Sequence, residues 1–249
     1  MNITEFFEKY PKVAIAFSGG VDSSYLLYAA KRSGAQVHAY YVKSDFQPDF
    51  EQRDAHRLAS ELGVEMTVLE LDALQDAAVV ANPQNRCYYC KKHIFGSIIR
   101  QAEQDGFHIL LDGTNASDEV SDRPGMAALR ELSVLSPLRE CGITKEQVRQ
   151  LSRDAGLFTW DKPSYACLAT RIPTGDIITK EKLQTTEWAE NYLFSLGFTD
   201  FRVRFFKNSA RLQFPANQID QAMKLRKQIV QVLKSRYDNV LLDMEARNE

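Results

Sequence analysis

No stretch of the 249-residue chain approaches the roughly 18 consecutive apolar residues that a membrane-spanning helix needs. The opening residues place Glu5, Glu8, Lys9 and Lys12 among Phe6, Phe7 and Tyr10. They lack the apolar core of a secretory signal, so a cytoplasmic protein is expected. A basic excess is missing too: 31 Lys and Arg stand against 33 Asp and Glu, a net charge of −2. A dedicated nucleic-acid binder needs surplus cations to neutralise phosphates, so nucleic acid is not the expected partner. Cysteine is scarce, with four residues. In a cytosolic chain of this length they are not a disulfide framework, which leaves metal ligand, cluster ligand, nucleophile or buried apolar residue. Repeats and low-complexity segments are absent, and 44% hydrophobic content excludes a disordered chain. The length is that of one to two domains.

What is present alternates. VAIAF (13–17), VHAYYV (37–42) and VEMTVLEL (64–71) read as strands and FHILLDGTN (107–115) as a strand running into a polar turn, with amphipathic helical stretches between them. Strands spaced by helices imply βαβ units and a mostly parallel sheet covered on both faces, an α/β fold. Thr144 and Gln147 form a capping-box pattern at the start of a further helix. WDKPSYACLATRIPTG (160–175) has no period and reads as a long functional loop. Beyond it a helix (about 180–196), FRVRFF, ARLQF, a long helix (about 217–236) and a last strand (239–243) make an α-β-β-α-β unit. The expected organisation is therefore a domain over 1–175 and a smaller α+β domain over 176–249. In the period-two strands Phe201, Val203 and Phe205 face a core, leaving Arg202, Arg204 and Arg211 on the opposite face.

SGGVDSS (18–24) follows the first strand and opens a helix. A glycine pair lets the backbone approach an anion, and helix N-terminal N–H groups favour phosphate. Ser18, Gly19, Gly20, Val21, Asp22 and Ser23 are the candidate phosphate residues, with Asp22 able to hold a Mg²⁺. No Gly-Lys-Ser/Thr follows, so this is not a Walker A loop. It resembles the PP-loop of the ATP pyrophosphatase superfamily, with a HUP-like, Rossmann-like fold. That likeness implies ATP, Mg²⁺ and AMP-forming activation of an oxygen.

Cys87 and Cys90 make Cys-Tyr-Tyr-Cys, a spacing suited to a shared metal or cluster. Cys167 lies in the long loop, with Lys162 and Arg171 near enough in sequence to favour a thiolate. Cys141 has no polar constellation and reads as incidental. Three cysteines can hold three irons of a cubane and leave the fourth iron open to sulfide.

Together, SGGVDSS (18–24), NRCYYCKK (85–92), DGTNASDEVSDRPGM (112–126), SPL (136–138), KPSYACLATRIP (162–173) and FRVR (201–204) resemble the LarE-type sulfur transferases, which serve nickel-pincer nucleotide biosynthesis. The resemblance implies that ATP adenylates a carboxylate of pyridinium-3,5-biscarboxylic acid mononucleotide, which is then converted to a thiocarboxylate. Cys167 is the implied catalytic cysteine, either as sacrificial sulfur donor or, with Cys87 and Cys90, as ligand of a [4Fe–4S] cluster. Single-cysteine members donate their own sulfur; the extra pair here favours the cluster version. Arg202 and Arg204, with Arg123 and Arg171, are the implied substrate-binding cations. Glu119, Glu190 and Asp220 are weaker candidates for positioning a metal or substrate. A homo-oligomer is compatible with this reading.

Three other classes share parts of the pattern. A PP-loop tRNA thiolase would need a basic RNA platform, yet residues 175–249 hold 12 Lys and Arg against 10 Asp and Glu. An amidotransferase-type ligase of the NAD or GMP synthetase kind has no use for three cysteines. A zinc-stapled nucleotide sensor would use them structurally and form no AMP.

Overall fold

The computed structural model describes residues 1–118 and 124–247. Along the chain run α1 (Ile3–Lys9), β1 (Lys12–Ala16), α2 (Val21–Arg32), β2 (Gln36–Lys43), α3 (Asp49–Leu62), β3 (Met66–Glu70), α4 (Ala77–Val80), α5 (Arg86–Gln104), β4 (Leu110–Leu111) and α6 (Pro124–Glu131). They are followed by α7 (Pro137–Glu140), α8 (Lys145–Asp154), α9 (Lys180–Ser195), β5 (Arg202–Phe206), β6 (Ser209–Gln213), α10 (Ala216–Lys224), α11 (Arg226–Leu233) and β7 (Val240–Leu242). The chain divides into two compact units, 1–73 with 85–162 and 74–84 with 163–249.

In the first unit four parallel strands lie in the order β3-β2-β1-β4. β1 and β2 are apolar over most of their length because both sheet faces are covered. One face packs Phe6, Leu26, Leu27, Ala55, Leu58 and Val148; the other packs Phe95, Ile98, Phe107 and Leu129. This is the α/β, Rossmann-like PP-loop architecture. The strand order matters for function: the chain steps from β1 to β2 on one side and returns to β4 on the other. A crevice at the carboxyl ends of β1 and β4 follows from that reversal, and open α/β sheets bind ligands there. Helix ends agree with local chemistry. The Thr144 side chain accepts from the Gln147 N–H, completing the capping box, and Gly63 closes α3 in the left-handed conformation.

In the second unit β5 pairs antiparallel with β6, and β6 pairs parallel with β7. Phe201, Val203, Ala210, Leu212 and Phe214 are buried on one face with Ala189, Leu193, Ile229 and Leu233, as period two requires. The single helix expected over 217–236 is two, interrupted at Leu225, with neither Gly nor Pro at the break. The division between units falls at 162/163, ahead of the boundary expected at 175, and residues 74–84 belong with the second unit. Hydrogen bonds explain the difference. Asn82 Nδ2 donates to the carbonyls of Ile172 (3.3 Å) and Pro173 (2.7 Å), and Gly175 N donates to the Asn82 carbonyl (2.9 Å). Among the described residues no helix is long and apolar enough to cross a membrane.

Candidate active site

The phosphate loop leaves β1 at the predicted crevice. Gly19 takes φ +72°, and a Cβ there would lie 3.1 Å from the Glu51 carbonyl and 3.2 Å from Ala55 Cβ. Only glycine fits both the backbone and the space. Gly20 caps α2 without a side-chain hydrogen bond, leaving the first N–H groups of a 12-residue helix for an anion. The loop braces itself through serine hydroxyls. Ser23 Oγ donates to the Gly20 carbonyl (3.2 Å), accepts from Ser18 N (3.3 Å), and lies 3.1 Å from Ser18 Oγ.

The opposite wall follows β4. Asp112 is buried, its carboxylate accepting from Thr114 Oγ1 (2.5 Å) and Ser136 Oγ (2.6 Å). These bonds account for the DGT and SPL motifs, which hold the turn after β4. A Cβ on Gly113 would stand 2.9 Å from Ser23 N, so this turn meets the first turn of α2 backbone to backbone. Between the walls lies a cavity of about 460 Å³, lined by Ser18, Gly20, Asp22, Ser23, Asp112 and Gly113, with Cys87, Lys91 and Gly125 beside them. A smaller apolar chamber of about 160 Å³, lined by Tyr40, Tyr41, Val42 and Ile98, shares Ala16, Ser18 and Phe95 with it.

Asp22 is held at both oxygens: Asn115 Nδ2 donates at 3.1 Å and Lys145 Nζ at 2.5 Å. In this structure its counter-ion is therefore Lys145. Cys87 is exposed on the first turn of α5, and Cys90 is half-buried one turn on. Positions i and i+3 place the two on one side of the helix. Tyr88 between them donates to Glu131 (2.9 Å), as does Lys92 (2.7 Å), tying α5 to α6. None of the four cysteines forms a disulfide. Cys141 packs on the first core, where burial raises its thiol pKa, in keeping with its incidental reading.

In the second unit Cys167 caps a short 3₁₀ turn, Leu168–Arg171. Three arginines hold its loop by their carbonyls. Arg171 Nη1 donates to Ala166 O (2.9 Å) and Cys167 O (3.4 Å), Arg202 Nη2 to Ser164 O (2.6 Å), and Arg204 Nη1 to Thr170 O (2.6 Å). Arg171 is fully buried and paired through Nε with Glu190 Oε1 at 2.8 Å. Burial alone would lower the Arg171 pKa, but Glu190 more than offsets it and the group is raised. Glu190 also accepts from Tyr165 Oη, and from Val203 N at 3.0 Å. Burial, then Arg171 and Arg247, lower the Arg202 guanidinium to about 10.

Two expectations therefore change. Arg171, read as a substrate cation, spends its guanidinium on Glu190 and on the carbonyls of the Cys167 loop. Glu190, read as a metal or substrate ligand, is a buried counter-ion surrounded by donors. Asp220 is exposed on α10. Arg202 and Arg204, expected as substrate-binding cations on the face opposite Phe201 and Val203, bond to the carbonyls of Ser164 and Thr170, Arg202 being buried. Glu119 and Arg123 lie outside the described residues. Among the described residues no three His, Cys, Asp or Glu side chains are gathered as a metal site. Sequence reasoning missed Asp112, Asn115, Lys91 and Lys145. The capping box located Lys145 at the start of α8, but its pairing with a residue 123 positions earlier is invisible in the chain text.

Comparison with known proteins adds the family. The model of the queuosine biosynthesis protein QueC matches residues 12–91, from β1 to the first turns of α5. An uncharacterized protein of Synechocystis sp. is 38% identical over 88% of this chain and 82% of its own length. The pyridinium-3,5-bisthiocarboxylic acid mononucleotide synthase of Lactiplantibacillus plantarum is 33% identical over 90% of this chain and 82% of its own. A tRNA-specific 2-thiouridylase of Thermotoga petrophila is 26% identical over 76% of this chain and 61% of its own. With a phosphate-loop cavity at the switch point and cysteines on α5 and in the 163–175 loop, the chain belongs to the LarE-type family of PP-loop sulfurtransferases.

Proposed function

We propose that this enzyme uses ATP and Mg²⁺ to adenylate a carboxylate of pyridinium-3,5-biscarboxylic acid mononucleotide and converts it to a thiocarboxylate, releasing AMP and pyrophosphate. The observation that carries the reading is the cavity between β1 and β4. Its uncapped helix N-terminus fits a polyphosphate, Asp22 fits a divalent cation, and the adjoining apolar chamber fits a purine. The substrate class comes from the likeness to the Lactiplantibacillus plantarum enzyme.

The chain's own residues divide the work. The phosphate loop orients the triphosphate for in-line attack by the substrate carboxylate on the α-phosphorus. Arg171, Arg202 and Arg204 fix the Cys167 loop, and any guanidinium N–H left over on Arg202 or Arg204 faces the substrate anion. The C-terminal α+β part, 176–249, is then the substrate-binding and oligomerisation domain, and the protein acts in the cytoplasm.

The cluster reading comes from the sequence resemblance, by which Cys87, Cys90 and Cys167 would hold a [4Fe–4S] cluster that supplies an open iron able to carry sulfide; among the described residues the three are not gathered as a metal site. The presence of Cys87 in the phosphate cavity favours this version, since a sacrificial enzyme needs one cysteine only. In the sacrificial version Cys167 Sγ attacks the acyl carbonyl and AMP leaves with its electron pair. Loss of the Cys167 α-proton then expels the thiocarboxylate and leaves dehydroalanine.

Anaerobic reconstitution with iron and sulfide decides between them. About four irons per chain, lost in both Cys87→Ala and Cys167→Ala, is the expected result. Absence of specific iron, with dehydroalanine at position 167 in the mass of the spent protein, establishes the sacrificial route. Absence of AMP formation with substrate present removes the ATP-dependent reading altogether.

A further inference from the structure

Lys91 is the cationic side chain among the described residues that line the 460 Å³ cavity. It sits four residues after Cys87 on α5, so both project from one helix face toward that cavity. The neighbouring lysines are committed elsewhere: Lys145 to Asp22, Lys162 to Asp54, Lys92 to Glu131. No ion pair of the Lys91 ammonium with a carboxylate is found among the described residues; it lies 5.9 Å from the Phe95 ring centroid. That distance is the outer limit of a cation–π contact, so it orients the group without neutralising it.

The path of the side chain is built. A Cβ on Gly125 would lie 2.9 Å from Lys91 Cδ and 3.1 Å from Cε, so the stem runs over a residue that has no side chain. The cavity's carboxylates are engaged away from it. Asp22 is bound by Lys145 and Asn115, Asp112 by Thr114 and Ser136, and Asp118 accepts from Asn115 N at 3.0 Å. A half-buried ammonium with no counter-ion among the described residues is costly to keep there, and an anion entering the cavity reduces that cost.

We propose that Lys91, at the end of the NRCYYCKK stretch, is the side-chain cation for the leaving pyrophosphate and so a catalytic residue. The inference rests on the ATP-dependent reading above. In adenylation the bond between the α-phosphorus and the α,β-bridging oxygen breaks, and that oxygen departs with the electron pair on pyrophosphate. The Lys91 ammonium stabilises the charge that accumulates there.

The test is calorimetric titration of inorganic pyrophosphate, ATP and AMP, with Mg²⁺, into the wild type, Lys91→Met and Lys91→Arg. Methionine keeps the apolar stem over Gly125, so the fold is retained. Lys91→Met is expected to weaken pyrophosphate and ATP about 10- to 100-fold, to leave AMP within about twofold, and to be largely rescued by arginine. Unchanged pyrophosphate affinity in Lys91→Met overturns the assignment while leaving the ATP reading intact. Equal loss for AMP and pyrophosphate overturns it too, because it marks a distorted cavity. A wild-type protein that binds neither ATP nor pyrophosphate brings down the ATP reading itself.

Discussion

Four donors converge on the two oxygens of Glu190, and the carboxylate is 1% exposed. Its charge is what keeps Arg171 paired in a site with almost no water. Glu190→Ala leaves that guanidinium buried and alone, a change that costs about 3–5 kcal/mol in comparable pairs. Urea denaturation should show a loss of that size. The double variant Arg171→Met with Glu190→Leu removes both charges and is expected to recover most of the stability. It should still fail in sulfur transfer, because the Ala166 and Cys167 carbonyls lose the donor that sets the loop. Stability and activity part company in that variant only if the ion pair positions Cys167. Gly113 makes a similar point in the first unit. Gly113→Ala forces its methyl against Ser23 N at 2.9 Å, so the turn or α2 must shift, and nucleotide affinity should fall at least about tenfold by calorimetry.

Among the elements, those with a strong period were readable and those shaped by distant partners were not. β1 and α9 lie within a residue or so of their expected spans, because apolar alternation and helix caps are local signals. The strand running into a polar turn expected over 107–115 comes out as a short β4, Leu110–Leu111, followed by a turn in which Asp112 accepts from Thr114 and Ser136. The edge strand β7 depends on such a distant partner. Asp243, just past its end, accepts from Gln213 Nε2 (2.7 Å) and Arg211 Nη2 (2.5 Å). Gln213 first and Arg211 second hold the Asp243 pKa below the ordinary carboxylate value. A carboxyl whose folded pKa is depressed contributes stability above its unfolded pKa, near 4, and loses it as pH falls through the folded value. Asp243→Asn should therefore lower the melting temperature at pH 7, with the difference shrinking as pH falls below the ordinary carboxylate value and through the depressed folded one. Melting curves across that range check the sign, and equal destabilisation at both ends would show that the carboxylate charge is irrelevant.

For the whole molecule, the glycine-rich loop after β1 and the Cys-Tyr-Tyr-Cys and Cys167 stretches were legible because each is a short run of neighbouring residues. The extent of the two units and the cation of the phosphate cavity were not. Both depend on pairs far apart in the chain, such as Asn82 with Pro173, and Gly125 making room for Lys91. Charge is the remaining property of the whole chain, and it bears on the tRNA-modifying relatives. Their substrate carries one phosphate per nucleotide, and a protein that grips several of them needs a cationic surface and loses affinity steeply with salt. Here the totals are 31 and 33, and the stretch from Gly175 onward has 12 cations against 10 anions, part of which are already paired, as Arg211 is with Asp243. The arginines that could have made an RNA-facing stripe, Arg202 and Arg204, bond to the carbonyls of Ser164 and Thr170 instead. Filter binding of bulk tRNA is therefore expected to be weak at 50 mM salt and lost by about 200 mM, whereas a mononucleotide held by the phosphate loop should survive that change with far less loss. Saturable tRNA binding that persists at 200 mM would mean that the substrate is a polynucleotide, and that the anion cavity serves only its activation.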